Sequence, residues 1–516
     1  MFGKRIALSL LLAVASPAAA KPIDPVTAAE GDAIRAMAAF RPVGMAVAYI
    51  AEGKLEFVQG FGVRGLNDPV PVDADTVFGV ASLTKAFTAT ALAMLVDQGR
   101  LAWDDRVVDR LPGFAMSDPY VTREMRVRDL LVHRSGLARG AGDLLTWPDG
   151  TATPEEVMAA LRYLPLAQGF RSGFIYDNAL YSVAGLLVAR ISGMAWHDFT
   201  RTRIFDPLGM ASCSADPNRP RSGNVAGRHA RAGGVAQALA HGLTQPDPAG
   251  SIACSVRDMA KWAQFNLAGG VTSDGRRLLS EAQMREILTG VTPMRSQGIL
   301  RRLGGTHFTL YGLGWTLSDF QGSLIAEHGG SAPGGTAQIV LAPERRAAAI
   351  VLVNDTAPAT MLAWQLIDRA LRGTAAADWV ADVAGRLKPE AAAGAPAERL
   401  PPPGAKPPAH PMPSYAGRYR DPWYGDLEVV WDGRMLMLAM TRSQLLRGPL
   451  IPFGGETFLA RWPDRSLNAD ALVTFESDAG GRPVRMRLAP FAEDTDFSYD
   501  YQHLAPVRVP EPHRPR

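Results

Sequence analysis

The hydrophobic pattern predicts two helices and a pair of strands in the first hundred residues. Residues 26–40 form an alanine-rich amphipathic run, which predicts a helix. Two apolar runs, residues 45–50 and 55–60, are separated by a short turn and predict a β-hairpin. A mostly apolar run over residues 86–96 then ends at Gly99, which predicts a buried helix.

The middle of the chain is predicted to be mainly helical, with many loops, over residues 101–290. Within it, residues 127–137 are predicted to form a helix that ends at Gly136. From residue 311 onward the pattern changes to short apolar runs with short gaps, which predict antiparallel strands. Residues 361–371 return to a helical pattern. The simplest assembly is one sheet built from both ends of this region, with the helical part inserted between them.

An alanine- and proline-rich stretch over residues 391–413 has the composition of a linker. Short, mostly strand-like runs follow at residues 415–419, 427–431, 435–440, 472–475 and 484–488. They predict a separate small antiparallel barrel or sandwich.

These patterns predict an α/β (α+β) fold, in which helices flank an antiparallel sheet, an all-helical subdomain is inserted, and a small antiparallel β-barrel follows. The predicted segments are a signal peptide at residues 1–20, the main domain at 21–375, a linker at 376–412 and the barrel at 413–508. The length of 516 residues is consistent with more than one domain.

Charge and the N-terminal residues narrow the compartment and the partners. The net charge is +3 and the sequence has no basic block, so nucleic acid is not an expected partner. Lys4 and Arg5 precede a short apolar run and three alanines at positions 18–20, a pattern typical of a cleaved secretory signal. No later run is long enough to span a membrane. We therefore expect a periplasmic or secreted protein without a membrane span in the mature chain.

The two cysteines, Cys213 and Cys254, form either a disulfide or two small buried thiols, and both possibilities are open at this point. No cluster of cysteine and histidine has the spacing of a metal site, and we expect no cofactor.

Ser82 and Lys85 are the first candidates for chemistry. Residues three apart on a helix share a face, so a lysine amine would lie beside the serine hydroxyl near the positive end of the helix dipole. That arrangement activates a hydroxyl as a nucleophile. Taken alone, the pair equally fits a helix N-cap and an exposed residue of the first turn.

Two further motifs carry polar side chains at the ends of predicted elements. Tyr176 and Asn178 precede a predicted helix, and His328 and Gly330 lie at the end of a predicted strand. Separately, these residues fit packing and capping roles, and His133 fits such a role better than a catalytic one.

In this order, Ser82-x-x-Lys85, Tyr176-x-Asn178 and His328-x-Gly330 resemble the active-site motifs of the serine β-lactamase and penicillin-binding-protein superfamily, in particular its class C β-lactamase-like branch. Flanking matches lie at residues 127–137, 205–210 and 248–250, and the resemblance spans residues 26–371. The segments at residues 415–419 and 423–425 resemble the lipocalin-like barrel that follows this domain in many such hydrolases.

The resemblance implies a β-lactamase/DD-peptidase-like fold and a role for each site residue. Ser82 is the implied nucleophile, Lys85 keeps its hydroxyl poised, and Tyr176 shuttles the proton. The substrate-binding residues implied are Asn178, His328, Gly330 and Ser331, with the backbone N–H groups of Ser82 and Ser331 forming the oxyanion hole. Whether Lys85 or Tyr176 accepts the first proton is open.

His328 stands where class C β-lactamases carry a lysine, and H-x-G occurs in relatives that act as D-aminopeptidases, D-amino-acid peptidases or esterases. The expected activity is therefore hydrolysis of an amide or ester in a small-molecule or peptide substrate, with cell-wall fragments among the candidates. We rank D-amino-acid peptides, amides and esters above β-lactams. The alternative is a penicillin-recognising, cell-wall-binding protein that is acylated with little turnover. The oligomeric state is open.

Overall fold

The computed structural model describes residues 24–510 except 233–234, 240–241, 243–244, 374–375, 388–400 and 402–403. The predicted signal peptide and most of the alanine- and proline-rich stretch lie outside the described residues.

Thirteen described strands precede the barrel. They are β1 (Gly44–Ala51), β2 (Lys54–Gly65), β3 (Asp68–Pro71), β4 (Val77–Gly79), β5 (Arg228–Ala232), β6 (Val235–Leu239), β7 (Ala253–Ser255), β8 (Thr292–Met294), β9 (Thr309–Tyr311), β10 (Thr316–Phe320), β11 (Ser323–Ala332), β12 (Gly335–Ala342) and β13 (Ala347–Val353).

Nine of these strands form one antiparallel sheet in the order β3-β2-β1-β13-β12-β11-β10-β9-β8, while β4 pairs with β7 and β5 pairs with β6. The N-terminal strand β1 lies against the late strand β13, with Met45 opposite Val353. This arrangement confirms the predicted sheet built from both ends of the region. Every residue of β13 is buried, because helices cover both faces of the sheet.

Twelve α-helices lie in the described part of the chain. They are α1 (Pro25–Phe40), α2 (Thr84–Asp97), α3 (Val107–Arg110), α4 (Pro119–Glu124), α5 (Pro154–Ala160), α6 (Ala179–Ser192), α7 (Trp196–Thr200), α8 (Val256–Leu267), α9 (Glu281–Ile287), α10 (Gly298–Gly304), α11 (Leu362–Arg372) and α12 (Trp379–Arg386).

The helices form two layers. Helices α1, α11 and α12 pack on one face of the sheet, around a core that includes Trp364 and Trp379. Helix α8 packs on the other face, next to the buried helix α2, which is sandwiched between α6 and α9. Every residue of α2 from Thr84 to Leu95 is buried, which explains why its sequence shows no polar face.

The predicted helix over residues 127–137 is wrong. A single 3-10 turn covers Val127–Leu130, and His133 then adopts a left-handed backbone with φ of 53°. The segment instead pairs with a neighbouring loop, because Ile175 N donates to His133 O at 2.9 Å and Arg171 N donates to Arg134 O at 2.8 Å. Tertiary hydrogen bonds therefore replace the helical ones that the apolar pattern suggested.

The C-terminal strands form a closed antiparallel barrel. They are β14 (Gly417–Asp421), β15 (Gly425–Trp431), β16 (Leu436–Met440), β17 (Arg447–Gly454), β18 (Thr457–Ala460), β19 (Ala471–Ser477), β20 (Pro483–Pro490) and β21 (Val507–Arg508). The barrel, rather than a sandwich, is thus the correct one of the two predicted architectures.

The barrel docks on the helical part of the main domain through polar contacts. Arg442 Nη2 donates to Glu156 Oε1 at 3.0 Å, and Gly142 N donates to Asp500 Oδ2 at 2.7 Å. Elsewhere, Cys213 and Cys254 are joined as a disulfide, the first of the two possibilities left open by the sequence.

Within the described residues, no single helix is long and apolar enough to cross a membrane. The helix pair Ala179–Ser192 and Trp196–Phe205, bent by 74°, passes that test only when the two are taken together.

Candidate active site

Ser82 lies in a strained turn directly before helix α2. A 3-10 turn covers Ala81–Leu83 and the α-helix begins at Thr84, so the helix starts two residues later than Ser82. Ala81 has a left-handed backbone with φ of 48°, a conformation that residues with a Cβ adopt at an energetic cost and that clusters at functional sites. The turn places the Ser82 hydroxyl at the floor of a cleft while its neighbours stay buried.

Lys85 is fully buried and has three hydrogen-bond acceptors. Its Nζ atom lies 3.1 Å from Ser82 Oγ, 2.8 Å from Asn178 Oδ1 and 2.9 Å from Ala249 O. An ammonium group has three N–H donors and no lone pair, so three acceptors match the protonated form. The contacts also compensate for the burial of the charge.

The carbonyl of Ala249 is held in place by the segment around it. Thr88 Oγ1 donates to Pro248 O at 2.8 Å, and Ile252 N donates to Thr84 Oγ1 at 3.1 Å. The segment is therefore tied to the same helix, α2, that carries Lys85.

Tyr176 and Asn178 reach the same point from the loop before α6. Tyr176 Oη lies 2.8 Å from Ser82 Oγ, and the Lys85 Nζ atom lies 4.8 Å from the centre of the Tyr176 ring. Asn178 is the residue preceding α6, and its amide bridges Lys85 to Asp143, whose Oδ2 lies 2.8 Å from Asn178 Nδ2. The structure thus brings the first two sequence motifs together around one hydroxyl.

His133 packs behind the site and does not enter it. Its ring centre lies 4.3 Å from that of Tyr176, and Asp177 N donates to its Nδ1 atom at 3.2 Å. Complete burial lowers the pKa of His133, so the ring is neutral and carries its proton on Nε2. This position agrees with the packing role that the sequence favoured.

His328 is also buried, and both of its ring nitrogens are engaged. Nε2 lies 2.9 Å from the Tyr311 hydroxyl, and Nδ1 lies 2.6 Å from the carbonyl oxygen of Gly329. A carbonyl only accepts, so Nδ1 carries the proton and Nε2 accepts from Tyr311. Burial, with the positive charge of Lys85 adding to it, lowers the pKa of His328 to about 3. The ring is therefore neutral at physiological pH.

Gly330 brings strand β11 against the turn that carries Ser82. A Cβ atom at this position would lie 2.4 Å from the carbonyl oxygen of Val80, a distance at which the backbone has to move. The next residue, Ser331, lies opposite Thr336 on β12 and is exposed in the cleft. Only glycine allows the strand edge to approach the serine so closely.

Asp143 is a buried carboxyl group that the sequence interpretation did not include. Its Oδ2 atom accepts from Asn178 and also from Ser498 Oγ, which lies 2.9 Å away and belongs to the C-terminal region. Burial raises the pKa of Asp143 to about 7, while the hydrogen bonds from Asn178 and Ser498 oppose the shift.

The cleft is a cavity of about 750 Å³. Its walls come from the Ser82 turn, the loop at Tyr176, strand β11 and a segment of the barrel region that includes Phe497. The Phe497 ring lies 6.1 Å from the Tyr176 ring, at an interplanar angle of 83°. The volume suits a ligand of drug or short-peptide size.

The sequence profile of the beta-lactamase family matches residues 33–372. The chain belongs to the beta-lactamase family. A second profile, that of a domain of unknown function called DUF3471, matches residues 401–507. The chain is similar to unguisins hydrolase ungD of Aspergillus violaceofuscus, with 30% identity over 458 residues that cover 80% of this chain and 78% of that protein.

Penicillin-binding protein 4 of Amycolatopsis lactamdurans is 30% identical over 342 residues, which cover 60% of this chain and 80% of that protein. Membership of the family and the hydrolase among its relatives show that the protein is a hydrolytic serine enzyme.

Two solved structures share the fold. A penicillin-binding protein homologue from Pyrococcus abyssi has a TM-score of 0.58 and 21% identity, and covers 94% of this chain and 100% of that one. D-amino acid amidase from Ochrobactrum anthropi has a TM-score of 0.56 and 24% identity, and covers 67% of this chain and 98% of that one.

Proposed function

We propose that this serine hydrolase is exported and cleaves an amide or ester bond through an acyl intermediate on Ser82. The observation that carries the proposal is the position of Ser82 Oγ, 3.1 Å from Lys85 Nζ and 2.8 Å from Tyr176 Oη, at the floor of the cleft. A hydroxyl within hydrogen-bond reach of two proton-transfer groups is the arrangement that nucleophilic catalysis requires.

In acylation, Ser82 Oγ attacks the carbonyl carbon and gives up its proton. The three acceptors around Lys85 Nζ favour an ammonium, which has no lone pair to accept it. Tyr176 therefore takes the Ser82 proton and passes its own proton to the leaving nitrogen or oxygen. If the phenol proton leaves ahead of the transfer from Ser82, negative charge develops on the phenol oxygen, and the nearby ammonium stabilises it.

The negative charge on the substrate oxygen requires two donors. We assign them to the backbone N–H groups of Ser82 and Ser331, because Gly330 lets the edge of β11 lie against the Ser82 turn. Loss of one such donor typically slows a reaction about a hundredfold or more.

Deacylation reverses these proton movements. A water molecule attacks the acyl carbon, its proton moves to Tyr176, and the Tyr176 proton returns to Ser82 Oγ as the ester bond breaks. One residue thus acts as acid and as base in both halves of the reaction.

The state of His328 supports a substrate other than a β-lactam as the preferred one. A neutral ring with both nitrogens engaged presents no cation to a substrate carboxylate. The name of the matched D-amino acid amidase agrees with an amide substrate. We therefore rank D-amino-acid peptides, amides and esters first.

The test is Ser82→Ala, measured with a fluorophosphonate probe and with three substrates, a D-alanyl amide, a short acyl ester and nitrocefin. We expect labelling and turnover to disappear in Ser82→Ala and to persist in Ser273→Ala, which alters an exposed serine outside the cleft. Hydrolysis that survives in Ser82→Ala would remove the proposal, and nitrocefin as the best substrate would reverse the ranking.

A second candidate is a penicillin-recognising protein that is acylated with little turnover, which the similarity to penicillin-binding protein 4 favours. Intact-mass measurement distinguishes the two. A penicilloyl adduct that persists for hours without product release supports the second candidate, whereas rapid return to the unmodified mass supports hydrolysis.

Export is tested by the mass of the mature protein. The basic residues Lys4 and Arg5 and the alanines at 18–20 lead us to expect a chain that starts at Lys21 in the periplasmic or culture fraction. A full-length chain confined to the cytoplasm would contradict export.

A further inference from the structure

A segment of the barrel region forms part of the wall of the cleft. Asp496, Phe497 and Ser498 line the cavity, and Gly140 on the facing loop has φ of 73°. A Cβ atom at Gly140 would lie 2.4 Å from the carbonyl oxygen of Phe497, so the two segments are in close contact. The barrel is therefore a neighbour of the reacting groups and not only an appended module.

Ser498 connects this segment to the candidate catalytic lysine through a chain of hydrogen bonds. Ser498 Oγ lies 2.9 Å from Asp143 Oδ2, and the same oxygen lies 2.8 Å from Asn178 Nδ2. At the other end of the amide, Asn178 Oδ1 lies 2.8 Å from Lys85 Nζ. Ser498 and Asp143 are both nearly inaccessible to solvent, with exposed fractions of 5% and 3%.

This chain of hydrogen bonds has a direction, which follows from the chemistry of its donors and acceptors. An ionised carboxylate only accepts hydrogen bonds, so Asp143 selects the NH₂ end of the Asn178 amide. The carbonyl end then faces the Lys85 ammonium, which only donates. A protonated Asp143 loses this selection, because its O–H can donate to the carbonyl end of a rotated amide while its carbonyl oxygen can still accept from the NH₂ end.

We propose that Asp143 and the barrel residue Ser498 are positioning residues, which hold the Asn178 amide with its carbonyl oxygen toward Lys85. The inference rests on the proposed function, since it assumes that Lys85 serves the reaction at Ser82. It goes beyond that function by making the C-terminal region a working part of the active site.

The proposal has a consequence for pH dependence. The pKa of Asp143 is raised to about 7, mainly by burial; the Asp500 carboxylate also raises it, and Lys85 lowers it. Asn178 and Ser498 lower it by donating hydrogen bonds. The other charged side chains around the cleft are Arg139, Asp247 and Asp496. Because the ionised form is the orienting one, activity falls as the pH drops through the pKa of Asp143, and loss of the Ser498 hydroxyl moves this fall to higher pH.

The experiment compares full-length variants by their profiles of kcat/KM against pH with a p-nitrophenyl ester. In Ser498→Ala we expect the acid limb to move up by about one pH unit, with about a tenfold loss at pH values below both limbs. We expect the loss to fall on kcat, because Ser498 does not act on the substrate itself but acts through other residues, which end at the Lys85 amine beside Ser82. Ser498→Thr restores the hydroxyl and should restore the profile. Asp143→Asn, which keeps the size but cannot ionise, should lose this limb altogether.

Ser443→Ala is the matched control. Ser443 Oγ also donates to a buried carboxylate across the same interface, that of Asp149, but neither residue lines the cleft. A control with the wild-type profile shows that a general loosening of the barrel does not cause the shift.

An unmoved acid limb in Ser498→Ala, or a limb that survives in Asp143→Asn, would overturn the inference. If Ser498→Ala does not fold, the Asp143→Asn profile alone decides. Failure of the proposed function is distinguishable, because it appears as hydrolysis retained in Ser82→Ala whatever the profile of the Ser498 variants.

Discussion

The Nζ atom of Lys85 lies 2.9 Å from the carbonyl oxygen of Ala249, far from it in sequence and deep inside the protein. This contact occupies the third N–H of the lysine, so the amine is held toward Ser82 without freedom to rotate away. In the proposed reaction at Ser82, a fixed donor of this kind lowers the reorganisation that the reaction would otherwise require.

Replacing the lysine by a neutral side chain of similar length tests this arrangement. We expect Lys85→Met to slow acylation by about 10²–10⁴-fold, the range typical of acid–base groups. Stability should also fall, because Ala249 O and Asn178 Oδ1 lose their donor in a buried place. Probe labelling followed by intact mass, together with urea unfolding, measures both effects. Lys54→Met, at an exposed lysine of β2, is the control. An acylation rate of Lys85→Met within tenfold of the wild-type rate would contradict the prediction.

Gly330 provides a test of the close approach between β11 and the Ser82 turn. Gly330→Ala places a Cβ atom 2.4 Å from Val80 O, so the strand has to move away from Ser82. We expect a loss of about 1–3 kcal/mol in the free energy of unfolding and slower acylation. Gly79→Ala lies near the same turn but its Cβ atom meets nothing within 4 Å, so it should change little. Equal behaviour of the two variants would refute the explanation.

The buried His328 predicts a pH dependence of stability. Its pKa is about 3 in the folded protein and 6.5 in the unfolded chain, so protons bind preferentially to the unfolded state between these values. Stability therefore falls as the pH drops from 6.5 toward 3, by up to about 1.4 kcal/mol per pH unit from this residue.

In His328→Gln this contribution disappears, and the decline between about pH 6.5 and 4 should become shallower, while the decline that comes from His133 remains. Urea unfolding at several pH values measures it. His307→Gln, at an exposed histidine, should keep the wild-type slope. A slope unchanged in His328→Gln would show that His328 does not resist protonation in the folded state.

Phe497 predicts that the C-terminal region influences which substrates fit. The ring lies 6.1 Å from that of Tyr176, and the Arg139 guanidinium stacks 4.1 Å from its centre. We expect Phe497→Ala to widen the cleft and to change the ratio of kcat/KM between a small and a bulky ester by about tenfold. Phe497→Leu should give an intermediate ratio. Phe453→Ala, at a barrel residue outside the cleft, is the control, and an unchanged ratio in Phe497→Ala would remove this role.

Local features of the sequence were sufficient for several of these conclusions. The hairpin of β1 and β2, the buried helix α2 and the barrel strands follow from periodicity, which depends only on neighbours along the chain. The contact between Ser82 and Lys85 likewise follows from helical spacing, even though a 3-10 turn begins the element.

The error at residues 127–137 has a definite cause. Val127, Leu130 and Leu131 follow helical spacing, but the same pattern is compatible with a loop that buries these side chains. The choice depended on partners such as Ile175, which supplies a backbone donor to His133. Those partners lie outside any local window of the sequence.

The residue types and their order were enough to indicate an acyl-transfer enzyme with Ser82, Lys85 and Tyr176 at its centre. Folding alone brought Ala249 to Lys85 and Ser498 to Asp143, a pair separated by 355 positions. Folding also lowered the pKa of His328, because the ring is buried and lies near the positive charge of Lys85. Helical spacing is a short-range property of the chain, whereas the environment of a buried charge is the sum of contacts from distant segments.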